Sequence, residues 1–286
     1  MSRYLCTFSG KYGDILWSLA TAKYIAEKIV NTPVDFAVMP YYENLGSLLC
    51  QQKYIDNAFV IPDWLRTHSN HGDQPWQPPV AVEQKYEKTW HLTYRGHPGI
   101  NAPSMPLIDF IAYQQGIRLQ APVIPFLDVD DETAFPALPF IELTTGNLAD
   151  VAKEKRLVTY SFNDQYVKEK KDFIETLWPL LQEDGLELLD LNSWGWASAA
   201  WALKHGLIHV GCRSACWVLA TGIGQDTITF EPHPSRNRVG HLGTVFSCPY
   251  GQEAALPFGM PAAPAAQVAR AWIREKRKRV EVAVPV

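Results

Sequence analysis

Short apolar runs alternate with amphipathic stretches along most of the chain. Tyr4 to Phe8 is apolar and closed by Ser9-Gly10, the mark of a buried strand. Ile15, Leu19, Ala22, Ala26 and Ile29 then recur at three- and four-residue steps, which predicts one apolar face of a helix. The pattern continues with a strand over Val34 to Met39, a helix over Tyr42 to Gln51 and a strand over Ala58 to Ile61. A strand over Thr89 to Thr93 and a helix over Pro106 to Gln115 follow. After Asp128 the periodicity lapses, and it restarts at Leu157. From there a strand (Leu157 to Phe162), a helix (Lys168 to Leu181), a strand (Leu186 to Leu191), a helix (Ser193 to Lys204), a strand (Leu207 to Val210), a helix (Ser214 to Thr221) and a strand (Thr227 to Phe230) follow closely. Such alternation predicts parallel sheets wrapped by helices. The remainder reads as proline-rich loop to Pro264, then a helix from Ala265 to Lys278.

The break divides the chain into a domain over 1–135, a second over 136–262, and a C-terminal helix and tail over 263–286, expected to pack back on the first domain. Its basic run, Arg274 to Arg279, reads either as a solvated helix end or as a face for anionic lipid or a phosphorylated acceptor. Two polar segments lack periodicity: 63–79, with His68 and His71, and Tyr94 to Gly99, with Arg95 and His97.

Composition narrows the function classes. With 286 residues, 47% hydrophobic and 20% charged, the chain is long enough for two folded domains. A formal net charge of −4 argues against a wholesale grip on nucleic acid. No apolar run reaches the length of a membrane span, and the opening residues lack a signal peptide's apolar core, so a cytoplasmic location is expected. The five cysteines, an odd number in apolar contexts, read as reduced thiols. Only Cys212 and Cys216 are close in sequence, with no second pair at zinc-site spacing, so no metal site is assigned.

Candidate chemistry collects where strands end. At the first turn, Gly10 and Gly13 let the backbone come close to a ligand, and Asp14 stands where a helix N-cap is expected. By residue type alone Asp14 is equally a structural cap. A dinucleotide fingerprint is absent, because only two of its glycines are present. In the second domain four strand tips should converge, since open α/β sheets bind ligands beyond the carboxyl ends of their strands. They carry Asn163 to Lys171, Asn192, the run Gly211-Cys212-Arg213-Ser214, and Glu231 to Arg236. Ser214 as a helix N-cap would aim free amides at an anion such as a diphosphate, with Arg213, Arg236 and Arg238 as planar donors. A plain capped helix beside surface arginines is the competing reading.

Gly13-Asp14-Ile15-Leu16-x-x-Leu19 after the first strand resembles the N-terminal motif of the heptosyltransferase-like (family 9) glycosyltransferases. The resemblance implies an α/β, GT-B-like fold, with two Rossmann-like doubly wound domains facing across a cleft. It implies inverting transfer of a sugar from a nucleotide-diphosphate sugar, as donor substrate rather than cofactor, to the hydroxyl of a saccharide or glycolipid acceptor; with no acidic cluster for a divalent ion in the sequence, metal-independent transfer is expected. Asp14 takes the place of the family's general base. Lys11, Tyr12, Arg95 and His97 are expected on the acceptor, with peripheral contact to the inner membrane face. Gly13, Lys168, Asn192, Gly211, Arg213, Ser214, Ala215, Glu231 and Arg236 are expected on the donor; Lys168, chosen over Lys170 and Lys171, stands for the family's phosphate-binding lysine. In the second domain Arg213 to Ala220 keeps the family's Ser and Leu-Ala but replaces its Asp, Gly and His by Arg213, Ala215 and Val218. The lost aspartate contacts the donor sugar in the heptosyltransferases, which puts ADP-heptose in doubt as donor. Two other functions fit the same layout: a glycosyltransferase acting on a modified nucleic-acid base, and a nucleotide-sugar-binding module without catalysis.

Overall fold

The computed structural model describes residues 4–8, 11–62, 80–92, 106–119, 125–131, 142–143, 146–162, 164–230, 253–257 and 259–283, with backbone alone at 80–81, 142, 164–169 and 283. Described residues up to 131 form one compact unit and those from 142 onward a second.

In the first unit, β1 (Tyr4–Phe8) leads into α1 (Tyr12–Tyr24), which continues as a π-helical stretch, Ile25–Val30. β2 (Val34–Val38) is followed by a 3₁₀ turn, Pro40–Leu45, and by α2 (Gly46–Leu49). β3 (Ile55–Val60), α3 (Val80–Glu83), β4 (Lys88–His91) and α4 (Leu107–Gln114) complete it. The strands form a parallel sheet in the order β3-β2-β1-β4. The chain runs outward from β1 through β2 to β3 and then crosses to β4 on the other side of β1, so β1 and β4 flank the switch point where ligands of such sheets bind. Ile15, Leu16, Leu19 and Ala22 are fully buried, as their spacing requires. Asp35 lies toward the amino end of β2, where its buried carboxylate accepts from Asn57 Nδ2 (3.0 Å) and Tyr86 Oη (2.8 Å).

The second unit opens with a short antiparallel pair, β5 (Glu142–Leu143) and β6 (Gly146–Asn147), and α5 (Leu148–Lys153). Asn147 caps α5 by accepting the Asp150 amide at 3.0 Å. β7 (Leu157–Ser161), α6 (Asp164–Glu183), β8 (Glu187–Asp190), α7 (Trp196–His205), β9 (Ile208–Cys212), α8 (Ala215–Ile223) and β10 (Thr227–Phe230) follow, then β11 (Glu253–Leu256) and α9 (Ala262–Ala283). The parallel sheet is ordered β11-β10-β9-β7-β8, which is the flavodoxin-like order with its switch point between β7 and β9. β11 lies inside a stretch whose composition reads as loop.

The two faces of this sheet differ. Val158, Phe162, Leu188, Val210, Ile228 and Phe230 pack under α6 and α9 as the unit's apolar core. The opposite face presents Thr159, Ser161, His209, Gly211, Thr227 and Thr229, all buried, beneath α7 and α8. His209 sits between Thr159 Oγ1 (3.0 Å) and Ser161 Oγ (3.3 Å), and burial lowers its pKa to about 3, so the ring is neutral.

The last helix belongs to the second unit and packs along α6. Ala265, Ala266, Ala269 and Ile273 enter the core there, and the basic run is engaged at the end of α6. Arg270 grips Asp184 with Nε (2.8 Å) and Nη2 (2.7 Å), Arg274 with Nε (2.8 Å) and Nη2 (2.5 Å), and Arg277 Nη1 donates to the Asp184 carbonyl at 2.7 Å. Hydrogen bonds from Arg270, and then from Arg274, hold the Asp184 carboxyl well below its ordinary range despite partial burial. Asp184→Asn is expected to cost about 2 kcal/mol at pH 7, discounted for the half-exposed Arg274. A carboxylate with a depressed folded-state pKa stabilises above its unfolded pKa, so the wild-type advantage should shrink as pH falls below about 4. Urea unfolding of both chains at pH 7 and pH 3 checks this, and an unchanged difference would rule out the clamp as its source.

Candidate functional site

In the first unit, Lys11 is the N-cap residue of α1, extended (φ −74°, ψ 168°), exposed, and without a side-chain capping bond. Tyr12, Gly13 and Asp14 form the first turn and are half-buried. Asp14 is therefore the third helical residue rather than the N-cap, and its charge lies at the positive end of the helix dipole. Tyr12 Oη donates to the Tyr41 carbonyl at 3.3 Å, and the Tyr12 and Tyr42 rings meet edge to face at 4.8 Å. Burial, and then the Asp14 carboxylate, push the Tyr42 hydroxyl up to about 12, so it stays protonated through the physiological range.

The switch point of this sheet also carries a relay that sequence reasoning missed. His91 ends β4 opposite Thr7 in register, with Nδ1 3.1 Å from Thr7 Oγ1 and Nε2 2.8 Å from Glu83 Oε1. Thr7 is 1% exposed, which fits a tie between β1, β4 and α3 better than a nucleophile. Its sequence signal was slight: one histidine at the end of a strand.

In the second unit, Gly211 lies inside β9, because the strand runs on to Cys212. Ser214 takes the backbone geometry of an N-cap for α8 (φ −118°, ψ −175°), but its side chain makes no capping bond. First-turn amides of a helix have no intrahelical acceptor, and those of α8 start at Ala215, beside the switch point. Cys216, in the same turn, is raised to about 11 by burial, against a hydrogen bond from Ser161, and stays a thiol.

Asn192 follows β8. Its Oδ1 accepts the Phe162 amide (3.2 Å) and its own amide donates to Asp190 Oδ1 (2.8 Å), which ties together the carboxyl ends of β7 and β8. Beside them opens a hollow of about 250 Å³ lined by Tyr160, Phe162, Lys170, Ile174, Asp190 and Asn192, among others. Tyr160 is raised to about 12 by burial and then by Asp190. Lys170 is 5% exposed, with Nζ 4.0 Å from the centre of the Phe230 ring, a cation–π contact.

The sequence-derived set thus divides. Within the first unit, Lys11, Tyr12, Gly13 and Asp14 gather at one strand tip. Within the second, Gly211, Ser214 and Ala215 gather at another, and Asn192 lies beyond β8, two strands away across β7. Arg213, expected on a diphosphate, is turned inward: its Nε is 3.0 Å from Glu253 Oε1, which also accepts from Thr229 Oγ1, and its guanidinium lies over Trp217. The helix α6 begins at Asp164, so Lys168 lies on a helix rather than in the loop before one; its side chain is outside the described residues. Arg95, His97, Glu231, Arg236 and Arg238 also fall outside them, as do His68 and His71. Among the described residues no three His, Cys, Asp or Glu side chains are grouped as metal ligands, and no helix is long and apolar enough to cross a membrane.

The sequence matches no family model and no curated protein. Solved structures are similar in fold. A family 9 glycosyltransferase from Veillonella parvula is 9% identical, with 90% of this chain and 86% of that one covered and a TM-score of 0.54. E. coli heptosyltransferase WaaC, solved with ADP, is 12% identical over 96% of this chain and 99% of that one, with a TM-score of 0.55. E. coli ADP-heptose LPS heptosyltransferase II is 11% identical over 98% and 100%, with a TM-score of 0.50. The chain has the α/β, GT-B-like fold of these proteins, with two doubly wound units.

Proposed function

We propose that this chain is a glycosyltransferase that moves a sugar from a nucleotide-diphosphate sugar to the hydroxyl of a saccharide or glycolipid acceptor. One observation carries the reading: the Gly13-Asp14 turn, the mark of family 9 in the sequence, sits at the carboxyl end of β1 in a fold similar to family 9 enzymes over nearly the whole chain. Fold alone does not specify function, so the weight rests on this turn. In the proposed reaction Asp14 accepts the acceptor's hydroxyl proton as that oxygen attacks the anomeric carbon, inverting it. Lys11 and Tyr12, with Arg95 and His97, are assigned to the acceptor.

On the second unit, the first-turn amides of α8, from Ala215 onward, and the Ser214 hydroxyl, which makes no capping bond, would meet the charge that grows on the leaving diphosphate. Gly211, one residue before the end of β9, is assigned to the donor with them. Gly13, Asn192, Glu231, Arg236 and a lysine of the Lys168, Lys170 and Lys171 group complete the donor set. Of these lysines, Lys170 and Lys171 line the hollow beside β8. Arg213 is reassigned to the internal pair with Glu253. Fixed positive groups would serve where other transferases use a divalent ion, and a cytoplasmic site of action, peripheral to the membrane, fits such an acceptor.

A thermal-shift screen with UDP-, GDP-, ADP- and CMP-sugars tests the reading, followed by transfer assays with and without EDTA. A donor at a hundred times its Kd should stabilise the fold by about 2.7 kcal/mol, a rise in melting temperature of roughly 5 °C or more. The reading fails if no nucleotide sugar raises the melting point. A second reading, binding without turnover, draws on the replaced Arg213, Ala215 and Val218 segment and on Arg213 being turned to Glu253. A shift without transfer or hydrolysis would favour it.

A further inference from the structure

Beside Asp14 stands an aromatic cluster of which the sequence pattern placed only Tyr42 in a helix. Tyr41 and Tyr42 lie in the 3₁₀ turn after β2, the strand next to β1, so they share the carboxyl edge of the sheet with Tyr12 and Asp14. Tyr42 is 3% exposed and forms the middle of the stack. Tyr12 meets it at 4.8 Å with an interplanar angle of 85°, and Tyr41 at 5.2 Å with an angle of 80°. The bond from Tyr12 Oη to the Tyr41 carbonyl closes the group. Tyr41 itself is 61% exposed.

A packed core has no use for a ring held in water. Tyrosine has few rotatable bonds, and an edge-to-face neighbour restrains it further, so little conformational freedom remains to be lost when a ligand covers it. An exposed ring also recovers hydrophobic free energy when an apolar surface covers it. Pyranose rings have such surfaces: their axial C–H bonds form an apolar face, while the hydroxyls project from the rim. A pyranose lying on Tyr41 presents its hydroxyl rim beside the stack. There the protonated Tyr42 hydroxyl and the Asp14 carboxylate are near enough to influence one another.

We propose that Tyr41, backed by Tyr42 and Tyr12, is the platform on which a pyranose ring of the acceptor stacks, with the reacting hydroxyl directed toward Asp14. This rests on the transferase reading and specifies its acceptor side. Recognition there is by ring stacking, beside the acceptor contacts assigned to Lys11, Tyr12, Arg95 and His97.

Saturation-transfer NMR on the full chain tests it, with the methyl pyranosides of glucose, galactose, mannose and N-acetylglucosamine as probes. At least one should bind, with its ring C–H protons saturated more strongly than its O-methyl group. Tyr41→Ala should weaken that binding about tenfold, and Tyr41→Trp should retain it. The nucleotide-sugar thermal shift should be the same in both variants as in wild type. Equal pyranoside binding by Tyr41→Ala and wild type overturns the proposal, as does the absence of binding by every probe; if nucleotide sugars still bind, the transferase reading survives either result. A chain that bound no nucleotide sugar would remove the acceptor role as well.

Discussion

Asp14→Asn is expected to lower sugar transfer by about 10³-fold, within the usual range for loss of a positioned general base, while nucleotide-sugar affinity stays within about twofold. The amide has nearly the shape of the carboxylate but cannot take up the acceptor's proton. The structural cost is small. Asp14 is the third residue of α1, and loss of its charge near the helix dipole is worth about 0.3–1 kcal/mol. A melting curve of the variant separates a loss of rate from unfolding. The discriminating measurements are kcat and KM for donor and acceptor separately, with the nucleotide-sugar thermal shift as a check on binding. A fall in kcat at constant donor affinity is the signature of a lost base. Transfer within about tenfold of wild type would leave Asp14 as a helix-end charge and nothing more.

The parts of this fold that were legible in the sequence are those set by local periodicity. The succession of β1 and α1, the alternation of strands and helices after Leu157 and the buried face of α1 all follow from residues a few positions apart. What was missed depends on partners distant along the chain. The last helix shows an apolar stripe, but a stripe says only that a face is buried, not against what. Its partner Asp184 lies 90 positions before Arg274. β11 is Glu253-Ala-Ala-Leu256, too short and too weak in β-propensity to stand out, and it becomes a strand because β10 offers it an edge. The pairing of Arg213 was hidden for the same reason, since only that edge strand brings Glu253 to it. The site divides similarly. Asp14 could be read from its motif, but Tyr41 could not, because exposure of a ring is decided by neighbours in space.

Gly211→Ala should have the largest effect on stability, about 3 kcal/mol or more, together with weakened nucleotide binding. A β-carbon there would lie 2.4 Å from the Ser161 carbonyl oxygen and 3.2 Å from His209 Nε2. The first obstacle is backbone and cannot rotate aside. Ser161 and Gly211 are in-register partners of β7 and β9, so the only relief is to part these strands at their carboxyl ends. That movement would also disturb the buried Thr159–His209–Ser161 hydrogen bonds. It would shift the start of α8 as well, only a few residues further on, where the diphosphate is proposed to sit. Gly195→Ala is the control. It precedes α7 in the same unit, at φ −63°, with nothing within 4 Å of an added β-carbon, and should cost less than about 1 kcal/mol. Urea unfolding of both variants makes the comparison, and equal midpoints would mean that β7 and β9 are not held as closely as the geometry of Gly211 requires. Stability lost in Gly211→Ala with nucleotide affinity unchanged would separate the strand pairing from the donor site and move the diphosphate away from α8.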